Sequence, residues 1–330
     1  MSKKRSTVSV KDKTHVKKST GNQKNKNESE KKSIDGVIQA YIDACQASAT
    51  KRAYASDLRH FLAHGGSIPS TVKRLVTYLA ESANDGLAVA TLERRVTAIH
   101  KAHLEHKLPS PAHSEAVKQV LQGIRRTLGT KQRQVMPLTK EVLLNALAAM
   151  KCEQMPAKAA RDRALLLVGF ASGMRRSELV GIRVEHLIYS DIGLEIELPV
   201  SKTDQERHGR TVFIPLASNG HCPVRALENW LKVSGISEGY VFRAVSRFDH
   251  IARHGLSAQS VALIVKAVMA KIGADAAHIS GHSLRAGYCT SAAELGLKTG
   301  QIREQTGHKS DLMLARYIRR ASLKSIQRLL

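Results

Sequence analysis

Two histidines, an arginine and a tyrosine fall within a few helical turns near the C-terminal end of the chain. They lie in Gly281-His282-Ser283-Leu284-Arg285, in Thr306-Gly307-His308 and at Tyr317. Cleaving a phosphodiester takes a nucleophile, stabilisation of charge on the non-bridging oxygens and a proton for the leaving oxygen. Arginine suits the second task, because its planar fork grips two oxygens and stays charged. Arg285, three residues after His282 and so on the same face of a helix, is one candidate. Arg175, in Gly173-Met-Arg-Arg-Ser-Glu178, is the other, and Glu178 three residues on can hold it in place. Taken singly, each arginine reads first as half of a surface salt bridge, the commoner place for one. Lys202, in Pro199-Val-Ser-Lys-Thr-Asp204, falls in a turn between strands, where a lysine ordinarily faces solvent. A flexible ammonium at such a tip can also reach into a site and protonate a departing 5′ oxygen. Tyr317 sits in a Leu/Ile-rich stretch, where the ordinary reading is core packing with a satisfied hydroxyl. As a nucleophile its pKa of about 10 calls for a base and cationic phosphate contacts. His282 and His308 offer the proton acceptor and a hydrogen bond to the phosphate. His100, His103 and His106 fit surface or packing positions, and no metal or other cofactor is expected.

These residues need a scaffold, and the sequence predicts a mainly helical one. Residues 1–33 carry eleven Lys/Arg against three acids and almost no large apolar side chains, so a disordered basic tail is expected. Residues 34–128 show apolar stripes at helical spacing: Val37/Ile38/Tyr41/Ile42/Cys45, Tyr54/Leu58/Phe61/Leu62, Val72/Leu75/Val76/Leu79, Val89/Leu92/Val96/Ile99 and Val117/Val120/Leu121/Ile124. Gly65-Gly66, Asn84-Asp85-Gly86 and Leu108-Pro109-Ser110-Pro111 punctuate them, giving a small domain of four or five helices. Arg94 and Arg95 are read on the polar side of the fourth stripe, as a solvated face or a groove-reading one. Residues 129–137 are basic, aperiodic and end in proline, a linker. Residues 138–330 form a second, α-rich domain with helices near 139–150, 158–172, 223–233, 257–272, 282–296 and 299–306, and another through Tyr317. Three short strands at 187–189, 194–198 and 210–214 make a small antiparallel sheet. The second of them alternates apolar and charged residues, as a half-exposed strand should.

Composition points to the partner. A formal net charge of +24 over 330 residues favours a polyanion through release of condensed counterions, so nucleic acid leads. An anionic membrane is the rival, but no segment approaches the ~20 consecutive apolar residues of a spanning helix. The N-terminus has no apolar core of a secretory signal, and a cytoplasmic location is expected. Cys45, Cys152, Cys222 and Cys289 are widely separated and form no CxxC pair, so reduced and mostly buried thiols are expected.

In its order and spacing, the series Arg175, Lys202, His282-x-x-Arg285, His308 and Tyr317 resembles the catalytic signature of the tyrosine recombinases, the phage-integrase family. Gly86-Leu-Ala-Val-Ala-Thr-Leu and Lys107-Leu-Pro-Ser-Pro are similar to the Cre-type members, and the likeness runs from about residue 34 to 328. One departure is His308, where Cre has tryptophan; histidine is the commoner residue in the family. The resemblance implies a helical core-binding domain and a catalytic domain that clamp duplex DNA from opposite faces. It implies that Tyr317 forms a 3′-phosphotyrosine, that Arg175, Arg285 and His308 stabilise the transition state, that His282 accepts a proton and that Lys202 is the general acid. Glu178 supports Arg175, and neither ATP nor metal is needed. It further implies a homotetramer on two DNA sites passing through a Holliday junction, in a prokaryotic cytoplasm. By position in that likeness Arg94 and Arg95 read DNA, and Gln259, near the start of the 257–272 helix, can read adenine through its amide. The rivals are an inert DNA-binding descendant of the fold, a type IB topoisomerase and a metal-dependent transposase or nuclease. The last is poorly served by 28 acidic residues with no evident triad.

Overall fold

The computed structural model describes residues 36–38, 41, 48–130, 135–150, 155–199, 209–315 and 317. The chain divides into two compact units, Met1–Gln132 and Arg133–Leu330. The basic tail, Cys45, Cys152 and Lys202 lie outside the described residues.

In the first unit, helices span Ser48–Ala63, Val72–Asn84, Val89–Glu105 and Glu115–Leu128, with a 3-10 turn at Pro111–His113. Thr71 starts the second by accepting a hydrogen bond from the amide of Arg74. The stripes converge on Phe61, Leu75, Tyr78, Leu79, Leu92, Val96, Ile99, Val117 and Leu121. Val37, Ile38 and Tyr41, from the first stripe, are exposed instead.

One expectation fails in this unit. Arg95 is buried, ion-paired to Asp57 at 3.7 Å and donating to the Tyr78 hydroxyl at 3.0 Å. Its place explains this: three residues after Leu92 and four before Ile99, it belongs to the inward stripe, not the polar side. Arg94 is half-exposed and grips the same carboxylate through two bonds of 2.7 and 2.9 Å. Asp57 is thus a buried anion held between two guanidiniums.

In the second unit, helices span Lys140–Ala148, Pro156–Ala171, Arg176–Val180, Pro223–Ser234, Ala258–Ala270, Ser283–Glu294 and Thr299–Thr306, and residues 311–315 are helical. Strands β1 (Leu187–Ser190), β2 (Gly193–Leu198) and β3 (Arg210–Pro215) form an antiparallel sheet in that order. β2 sends Leu194, Ile196 and Leu198 inward and Glu195 and Glu197 outward, as its alternation predicts. A second hairpin pairs β4 (Arg243–Val245) with β5 (Ile251–Gly255). It escapes the sequence reading, because Arg-Ala-Val and Ile-Ala-Arg-His-Gly are too short to show a period. The core runs from Leu138 through Leu165, Leu166, Ile196, Ile214, Trp230 and Val265 to Leu284. Cys222 and Cys289 are free and buried. No described helix is long and apolar enough to cross a membrane.

Helix Ser283–Glu294 is buried along most of its length, and it carries the site. The segment entering the second unit lies across it: the amide of Leu138 donates to the Ser283 carbonyl (3.0 Å) and that of Lys140 to Ser291 Oγ (3.1 Å). Gly287 allows this crossing, since a Cβ there would fall 1.7 Å from the Leu138 carbonyl oxygen.

Candidate active site

Arg175, His282, Arg285, His308 and Tyr317 line one cavity of about 370 Å³, with Leu312 and Met313 as its apolar wall. Five of the six residues singled out for chemistry therefore meet; the sixth, Lys202, is outside the described residues.

Arg175 immediately precedes the short helix Arg176–Val180. Its amide donates to one oxygen of Glu178 (2.9 Å) and its guanidinium to the other (2.7 Å). A further bond runs from Arg175 Nη2 to the Gly307 carbonyl (3.3 Å). Burial pushes the Glu178 carboxyl up, but the bonds from Arg175 and the charges of Arg210 and Arg175 outweigh it. The net effect holds the group below the usual carboxylate range. Glu178 is thus a fixed anion that leaves part of the Arg175 fork facing the cavity.

Arg210, the first residue of β3, was missed by sequence reasoning. It donates to Glu178 Oε2 (3.0 Å) and to the Gln305 carbonyl (2.8 Å). An arginine that follows the charged sequence Lys202-Thr-Asp-Gln-Glu-Arg207 reads as exposed, and nothing local reports that its partners lie 32 and 95 residues away.

Arg285 is 1 % exposed, yet it is not fully satisfied. Its Nη1 donates to the carbonyls of Gly173 (2.8 Å) and Thr306, while Nη2 has no hydrogen-bond partner among the described residues. A buried donor without an acceptor is costly in a protein interior, and an anionic oxygen is the ligand that relieves it. Burial, then the charge of Arg175, draws this guanidinium down to about 10, which leaves it cationic at neutral pH.

The imidazoles are held neutral. Burial, followed by Arg285, Arg175 and Arg176, lowers His282. Burial, followed by Arg285, Arg175, His282 and Arg210, draws His308 down to about 3. His282 Nε2 lies 3.2 Å from the Tyr317 hydroxyl, so a neutral ring nitrogen sits within reach of the phenol proton. His308 is bonded through Nδ1 to Thr306 Oγ1 at 2.7 Å. Gly307, in the left-handed region at φ 68°, ends helix Thr299–Thr306 and turns the chain so that His308 faces the cavity. Tyr317 packs its ring against Cys289, Ala292, Ile302 and Leu314.

Of the residues named for reading DNA, Gln259 shares this unit and does not line the cavity. Gln259 is exposed in the first turn of helix Ala258–Ala270, and Arg94 and Arg95 belong to the first unit, engaged with Asp57.

Two cationic forks, two neutral imidazoles and a phenol around one cavity define a class: enzymes that transfer a phosphoryl group through a tyrosine. The chain matches the Phage integrase family over residues 137–323 and belongs to it. It is a site-specific tyrosine recombinase. It is 37% identical over 291 residues to an integrase/recombinase xerD homolog of Selenomonas ruminantium, covering 86% of this chain and 84% of that one. Over 273 residues it is 23% identical to the recombinase cre of Escherichia phage P1, covering 76% of each. A lambda integrase tetramer bound to a Holliday junction shares the fold, with TM-score 0.58 and 17% identity over 86% of this chain and 75% of that one.

Proposed function

We propose that this recombinase cuts and rejoins duplex DNA through Tyr317. The observation that carries the reading is the Tyr317 hydroxyl 3.2 Å from His282 Nε2, in a cavity walled by Arg175 and Arg285. Tyr317 Oη attacks the scissile phosphorus as its proton passes to His282. The bond to the 5′ oxygen breaks, and that oxygen takes its proton from Lys202. The product is a 3′-phosphotyrosine and a free 5′ hydroxyl. Arg175 and Arg285, with His308, hold the non-bridging oxygens as charge builds on them, and Glu178 and Arg210 fix Arg175. The 5′ hydroxyl of a partner duplex then reverses the step, so the bond energy is retained and neither ATP nor metal enters. A homotetramer on two DNA sites, acting through a Holliday junction in the bacterial cytoplasm, fits this chemistry. Exposed Gln259 and half-exposed Arg94 are the side chains proposed to approach DNA; Arg95 serves the core.

Trapping the protein on fragmented DNA and sequencing what stays covalently attached tests the nucleophile and finds the target together. Wild-type protein is expected to yield a tyrosine-linked 3′ end that survives chelator, and Tyr317→Phe none. Covalent product from Tyr317→Phe, or loss of wild-type activity in chelator, rejects the mechanism. Lys202→Ala is expected to cleave slowly and to recover on a substrate whose 5′ bridging oxygen is sulfur, a leaving group that needs no acid. Exchange between two sites separates recombination from relaxation of supercoils by a topoisomerase.

A further inference from the structure

Thr306 is fully buried in the last turn of helix Thr299–Thr306, and its one hydroxyl proton has two claimants. Oγ1 lies 2.5 Å from the carbonyl of Ile302, one turn back, and 2.7 Å from His308 Nδ1. A carbonyl can only accept, so the hydroxyl proton goes to Ile302. The hydroxyl then offers His308 a lone pair, which requires a proton on Nδ1. A neutral imidazole has a single N–H, so Nε2 of His308 is bare. With Nδ1 turned to Thr306, Nε2 is the ring nitrogen left for a ligand in the cavity.

We infer that Thr306 is a positioning residue that decides which nitrogen of His308 is protonated, so that the histidine grips the scissile phosphate only after the ring gains its second proton, at Nε2. This rests on the phosphoryl-transfer reading above and adds a proton to it. A bare nitrogen facing a phosphate oxygen sets lone pair against lone pair; an imidazolium, bonded at Nδ1 to Thr306 and at Nε2 to phosphate, donates at both ends. The groups facing His308 from the neighbouring elements are Arg175, Arg210, His282, Arg285 and Tyr317, while Arg303 reaches its backbone carbonyl. The three cations among the facing groups oppose a further positive charge in the free enzyme. Burial opposes it more strongly still, and a bound phosphate, with its negative charge beside the ring, offsets part of both, so the proton arrives with the anion. Entry of DNA and proton uptake are then one event.

Nitrogen NMR of the full chain labelled at histidine reads the tautomer without any catalysis, with His308→Asn assigning the signal. Wild-type His308 is expected as the Nδ1–H form near neutral pH, Thr306→Ser the same, and Thr306→Val shifted to Nε2–H. An Nε2–H form in the wild type overturns the inference, as does a tautomer that valine leaves unchanged. Should valine prevent folding, the wild-type spectrum decides alone. A second readout is single-turnover cleavage of the mapped target. The ratio of the wild-type rate to the Thr306→Val rate is expected to fall about tenfold per pH unit above the His308 pKa in the complex, since only the wild type needs the imidazolium. Ionisations shared by both proteins cancel in that ratio, and a ratio independent of pH overturns the coupling. Failure of Tyr317 to form a covalent adduct would instead reject the underlying reading and leave the tautomer result standing.

Discussion

Glu178 holds three groups with two oxygens: the amide and guanidinium of Arg175 and the guanidinium of Arg210. Removing Arg210 leaves a buried carboxylate with less compensation and frees Glu178 to shift, carrying Arg175 with it. Because misplacement by about 1 Å can slow chemistry about 10²-fold, Arg210→Ala is expected to slow single-turnover cleavage by about that factor. DNA affinity should change far less, since Arg210 is committed to Glu178 and Gln305. Arg210→Lys keeps the charge but loses the fork, and should recover part of the rate. A cleavage rate equal to wild type in Arg210→Ala would show that Glu178 holds Arg175 unaided. The sequence made the cavity legible at those positions where residue type and order are themselves the signal: Arg175, His282, Arg285, His308 and Tyr317. It hid Arg210 and Thr306, whose roles come from what the fold sets beside them. Arg95 is illegible by residue type, since a guanidinium ordinarily faces solvent, and legible by spacing, since Leu92 and Ile99 set it on the inward stripe.

Among the helices, Ser283–Glu294 bears the tightest constraint. Its backbone approaches Leu138 so closely that Gly287 is a packing requirement, while its N-cap is His282 and its first turn supplies Arg285. Gly287→Ala must push Leu138 away or shift the helix. Overpacking of a close-packed interior typically costs about 1–3 kcal/mol, and a backbone oxygen has less room to yield than a side chain. A drop in the denaturant midpoint of at least that size is expected, with weaker cleavage in the fraction that stays folded. Stability equal to wild type would mean the crossing is looser than described. The longer helices and strands β2 and β3 were legible because a buried face recurs over several residues, so a period is written into the chain. The β4–β5 hairpin and the crossing itself leave no such trace: one is too brief, and the other joins residues as far apart as Lys140 and Ser291, 151 positions in sequence.

Taken whole, the molecule is a polycation, and a third of its net charge of +24 lies in residues 1–33, with eleven Lys/Arg against three acids. Each phosphate neutralised steepens the salt dependence of binding by about 0.9 in log K against log salt. If that segment contacts DNA, its removal should flatten the slope by several units while leaving the covalent linkage at Tyr317 intact. A slope that does not change assigns the salt dependence to residues 34–330. One further property follows from the crossing at Gly287. The amides of Met136 and Leu138 are bonded to the carbonyls of His278 and Ser283, residues on either side of His282 in the chain. The segment that enters the second unit is therefore moored to the strip of backbone that carries His282.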